Sequence, residues 1–69
     1  MTTTRALPKN LFSAYEWVSA AGELEELAKM SETSAETYAS EAVANAVAHD
    51  VEDVDEGDIV ALWSWLRGE

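Results

Sequence analysis

His49 is the chain's one imidazole, and Asp50 and Glu52 follow it closely. An imidazole beside carboxylates is the raw material of a general base or a metal ligand set. Either role needs further groups converging on it from elsewhere in the fold. His49 also continues the line of Ala35, Ala39, Ala42 and Ala46, so the expectation is a helix-seam histidine bonded to a carboxylate. The acidic run "DVEDVDEGD" (50–58) raises a second possibility, calcium. An EF-hand loop needs oxygen ligands at its first, third and fifth positions, glycine at the sixth and glutamate at the twelfth. With Gly57 as the sixth, the third is Val54 and the twelfth is Trp63, so the pattern fails. The chain has no cysteine, which removes thiol catalysis and zinc–thiolate sites. It has no glycine-rich phosphate loop, no nucleophile elbow and no paired-histidine motif. The expectation is a protein that is not an enzyme and has no metal or cofactor site.

Charge and size narrow what remains. Fourteen acids against four bases give a formal charge of −10. That argues against direct nucleic-acid binding, which depends on Lys and Arg contacts to phosphate, and against anionic membrane surfaces. A partner protein with a basic surface is the class such a field steers toward. At 69 residues one small domain is expected, and a core of this size rarely supplies more than roughly 3–5 kcal/mol without outside help. With no disulfide available, tight helix packing or self-association must supply the rest. The start, "MTTTRALPKN", carries no apolar run, so no signal peptide or membrane span is expected, and a cytoplasmic location follows.

The elements that would position any surface are helical. Residues 1–9 read as a flexible arm ending at Pro8, with 10–69 as the domain and Asn10 as an N-cap. From there to 30, Ala14, Trp17, Ala21, Leu24 and Ala28 recur at gaps of three and four, a heptad stripe. Leu11, Tyr15, Val18 and Gly22 run beside it. Inside a helix Gly22 costs about 1 kcal/mol relative to Ala, and it marks a kink, a close backbone approach or a tolerated defect. The stretch "SETS" (31–34) breaks the pattern, with Thr33 and Glu36 spaced as a capping box. A turn this short makes its flanking helices, 10–30 and 34–51, an antiparallel hairpin. In the second helix the alanines at 35, 39, 42 and 46 form a seam that lets a neighbour approach closely. Val43, Val47 and Val51 lie beside them.

A third helix is expected over about 56–67, capped by Asp55, with Glu56 and Asp58 in its first turn. Val54 and Ile59 are placed to form a hydrophobic staple. Ile59, Leu62, Trp63 and Leu66 define its buried stripe. Trp65 lies off that stripe beside Ala61, Val60 is on the opposite margin near Arg67, and the helix is apolar or small nearly all round. Such a helix is covered by more than one neighbour. A chain this short is expected to run out of cover, which points to an all-α homodimer or to Trp65 as an exposed hot spot. The expected seam is therefore Trp17, Ala21, Leu24, Ala35, Ala39, Ala42, Ala46 and Trp63. The expected protein-binding surface is Trp65, Val60, Tyr38 and Arg67 with the acids Glu52, Asp53, Asp55 and Glu56.

The favoured function is a non-catalytic interaction module that inhibits another protein. With its 69 residues, its charge of −10 and the hairpin turn "SETS", the chain resembles small phage-encoded proteins that disable host regulators or defence systems. The resemblance covers the chain as a type; it implies a class of partner and carries over no binding residue. Two other functions fit the same features. One is DNA mimicry, with Glu23, Glu25, Glu26, Asp50, Glu52, Asp53, Asp55, Glu56 and Asp58 occupying a nucleic-acid cleft. The other is a small accessory or antitoxin-like subunit.

Overall fold

Gly22 decides the architecture. The computed structural model describes residues 6–68, and at Gly22 the backbone turns to φ +73°. Gly22 N–H donates to the Ser19 carbonyl at 2.9 Å, and Glu23 N–H reaches back to the Val18 carbonyl at 3.1 Å. This pair of bonds is a Schellman motif, in which a left-handed residue satisfies the last carbonyls of a helix. A Cβ at Gly22 would meet nothing within 4 Å, so the glycine is there for its torsion and not for a close approach. The expected single helix over 10–30 is thereby two: α1, Phe12–Ala20, and α2, Leu24–Lys29. A 3₁₀ turn, Lys9–Leu11, leads into α1. Asn10 sits inside that turn and does not cap the helix, because the chain is already winding when it reaches Phe12.

The next helix, α3, spans Glu32–Ala48. Its cap is Ser31, whose hydroxyl accepts from Ser34 N–H at 3.2 Å, in place of the expected Thr33–Glu36 box. It ends by the same device as α1. Asp50 stands at φ +61°, with Asp50 N–H bonded to the Val47 carbonyl and Val51 N–H to the Ala46 carbonyl. The helix therefore stops before Val51. The last helix, α4, spans Glu56–Leu66. Asp55 holds the N-cap position in extended conformation but makes no side-chain cap bond. The chain is all-α, with no strand among the described residues.

The most extensive packing joins α3 to α4, and α4 also touches the 3₁₀ turn, α1 and α2. It is the central element. Ala35, Ala39, Ala42 and Ala46 are at most 3% exposed, and their small side chains let the two helices close together. Ile59, Leu62 and Trp63 are buried as the stripe requires, and Leu66 is half-buried. Val54 and Ile59 are buried in the same cluster, consistent with the staple. Trp63 also fastens the far side: its Nε1–H donates to the Met30 carbonyl at 2.9 Å, tying the α2–α3 junction to α4.

Along the 3₁₀ turn and α1 the buried residues are Leu11, Ala14 and Val18, a face lying between the two expected stripes. Ala21, assigned to the seam, is exposed because α1 has ended there. After the break the phase resets: Leu27 is fully buried, while Leu24 and Ala28 are half-buried. Of the expected arm, residues 1–5 lie outside the described residues. Its remainder joins the fold, with Leu7 packed against the core.

Candidate interaction groove

α1 and α3 each turn one face to α4 and an adjacent face to a groove between them. Along α3 the groove is lined by Tyr38, Glu41, Ala42 and Asn45, and across from them by Trp17, Ala20, Ala21 and Glu23. On α3 this face lies roughly a quarter-turn from the alanine seam at 100° per residue. The groove has a volume of about 400 Å³, within the range of ordinary ligand pockets. One end is crossed by Tyr38 Oη–H donating to Glu23 Oε1 at 2.8 Å. At the other end the Trp17 ring lies 6.0 Å from the His49 ring, tilted by 59°. The floor is alanine and aromatic, and the ionisable carboxylates lining it, Glu23 and Glu41, are both acidic.

The Tyr38–Glu23 pair is held by position. Glu23 is the residue just after the Gly22 turn, so the Schellman geometry that ends α1 also aims this carboxylate across the gap. Burial, together with the bond to Glu23 and the nearby charges of Glu23 and Glu26, pushes the Tyr38 phenol well above its usual range. The phenol thus stays protonated and keeps donating.

His49 does not fill the seam. It is the exposed C-cap of α3, and its Nδ1 lies 2.8 Å from the Asn45 carbonyl. A carbonyl only accepts, so Nδ1 carries the proton. The seam needs small side chains at this approach, and an imidazole at the helix end finds its partners in the terminal carbonyls instead of in a carboxylate. Among the described residues no group of three or more His, Cys, Asp or Glu is arranged to hold a metal ion. No described helix is long and apolar enough to cross a membrane.

The expected binding residues do not form one patch. Trp65 is half-buried and packs against the chain's own core, with its ring edge-to-face on Tyr15 at 6.5 Å and 86°. Val60 is half-buried against the same core. Arg67 lies over the Trp63 ring, 5.0 Å from its centroid, a cation–π contact within one helix end. Tyr38 lines the groove on another face. Glu52, Asp53 and Asp55 are exposed on the segment between α3 and α4, and Glu56 is exposed in the first turn of α4. The groove residues that sequence reading passed over are Ala20, Glu41 and Asn45. A signal was present, because Tyr38, Glu41, Ala42 and Asn45 fall at i, i+3, i+4 and i+7. The pattern mixes polar and apolar types and so does not register as hydrophobic periodicity. Comparison with protein-family models, with curated proteins and with solved structures found no match to this chain.

Proposed function

We propose that this chain is a non-catalytic interaction module that binds and inhibits a protein with a basic surface, and that its likeness in size and charge to small phage-encoded inhibitors reflects a shared mode of action by binding. The observation that carries the reading is the groove between α1 and α3, apolar in its floor and acidic at its rim, on a chain of charge −10. Charge of one sign speeds encounter with an oppositely charged partner, and an apolar floor supplies contact that salt does not screen.

Self-association belongs to the same proposal and takes a definite form. A dimer was expected because α4 is apolar nearly all round. That helix finds its neighbours within its own chain, in the 3₁₀ turn and three helices. A homodimer therefore pairs through surfaces other than the buried face of α4, and sedimentation at micromolar concentration showing a stable monomer of 7.5 kDa would overturn this part.

DNA mimicry is the second reading, favoured by the exposure of Glu25, Glu26, Asp50, Glu52, Asp53, Asp55 and Glu56. The two diverge in salt. The partner is captured with the tagged protein, identified, and its affinity measured between about 50 and 200 mM salt, across which binding carried by many charge contacts weakens steeply. A module that holds a basic protein through an apolar floor loses far less. A captured partner without a basic surface would refute the proposal. Trp65→Ala is a poor probe of the surface, since Trp65 is packed on Tyr15 and its loss would unsettle the fold.

A further inference from the structure

Two helices that face the same valley, floored by small side chains, offer the surface on which a third helix packs. The groove runs from Tyr38 to Asn45 along α3, a rise of roughly 10 Å or about two helical turns. Ala20, Ala21 and Ala42 keep its floor low, so an incoming backbone can approach closely. The Trp17 ring stands at one end, and Glu23 and Glu41 stand at the rim. A second copy of this chain is a poor occupant, since it brings a further charge of −10 to carboxylates of the same sign.

Resting on the function proposed above, we infer that the α1–α3 groove receives an amphipathic helix of the partner that carries lysine or arginine along one margin. Its apolar side chains lie on Trp17, Ala20 and Ala42, and its cationic side chains reach Glu41 and Glu23. The Trp17 ring lines the groove and supplies its largest apolar surface to the incoming helix. This is the helix-in-groove mode of recognition, with anchors at i, i+3 or i+4, and i+7.

The test uses a synthetic amphipathic peptide of leucine and lysine, long enough for about four helical turns, and a counterpart with glutamate in place of lysine. Wild type binds the lysine peptide in calorimetric titration and ignores the glutamate peptide. Of the three tryptophan indole signals in the NMR spectrum, that of Trp17 moves most. Ala20 and Ala61 are both exposed, but only Ala20 lines the groove, so Ala20→Arg and Ala61→Arg make the same change of charge in different places. Ala20→Arg lowers affinity at least about tenfold and Ala61→Arg less than about threefold, because a cation in the groove both fills and neutralises it. Circular dichroism checks that each variant is folded, and Glu41→Gln, at an exposed rim position, provides a second and milder loss. Equal losses for the two arginine variants would overturn the groove and leave the acidic-surface reading standing. Failure of wild type to bind the lysine peptide would overturn the inference, whereas the capture experiment alone decides the broader function. A dimer that Ala20→Arg abolishes would assign the groove to a second copy and likewise overturn it.

Discussion

Two helix ends in this chain share one backbone geometry and differ in the residue that bears it, which makes them a matched experiment. At the end of α1 the left-handed position is Gly22 at φ +73°, and at the end of α3 it is Asp50 at φ +61°. An L-residue in that region costs roughly 1–2 kcal/mol, with Asp and Asn at the lower end. Gly22→Ala meets no steric clash, since nothing lies within 4 Å of the new Cβ. Its effect is torsional, offset by the roughly 0.4–1 kcal/mol gained from a less flexible unfolded chain. The net expectation is a loss of about 1 kcal/mol. Asp50→Gly runs the other way. It relieves the torsion, gives back roughly 0.5–1 kcal/mol of that to glycine's unfolded entropy, and removes a negative charge from a helix C-terminus, worth about 0.3–1 kcal/mol. The net is a gain of about 1 kcal/mol. For a domain of this size, each corresponds to a shift of about 4–8 °C in melting temperature, in opposite directions, read by far-ultraviolet circular dichroism. Asp50→Asn keeps the left-handed tolerance and removes only the charge, worth about 0.3–1 kcal/mol, so it should show the larger part of the gain. If Gly22→Ala melts with wild type, or Asp50→Gly melts below it, the assignment of these turns is refuted.

Three further outcomes follow from single contacts. Trp63→Phe keeps most of the ring but removes the 2.9 Å bond to the Met30 carbonyl, and chemical denaturation should show a loss of about 1 kcal/mol. Ala39→Leu forces a larger side chain between α3 and α4 and should cost about 1–3 kcal/mol by the same assay; a neutral result would mean that the alanine seam is not tightly closed. The raised phenol of Tyr38 gives a pH signature. In the folded state the proton is held above the usual value near 10, so the stabilisation is complete below that pH and is lost as pH rises beyond it. Tyr38→Phe should therefore reduce the alkaline fall in melting temperature, and absorbance titration of the wild type should show one tyrosine ionising late.

The parts of this fold that were legible in sequence are those where periodicity reports burial on one helix. The alanines of α3 and the Ile59, Leu62 and Trp63 stripe of α4 are buried as their spacing implies. The break at Gly22 was hidden because Ala21, Leu24 and Ala28 keep the three-and-four rhythm across it by coincidence. A glycine inside a helix and a glycine ending one look alike when the flanking pattern continues. Trp65 misled for a different reason. A helical wheel gives the direction of a side chain but not how many neighbours await it, and α4 is met by four elements of its own chain. The groove was the least legible feature, since it exists only where α1 and α3 fail to close on each other.

The central position of α4 has a consequence for how the chain is made. It is the last helix in chain order, yet the alanine face of α3, the α2–α3 junction and the buried face of α1 all pack on it. While a ribosome is still synthesising residues before 56, those faces have nothing to close against, so no earlier pair of helices is a finished folding unit. Folding should occur as one cooperative event after α4 emerges. A nascent chain stalled upstream of Glu56 would expose its core to chaperones and proteases.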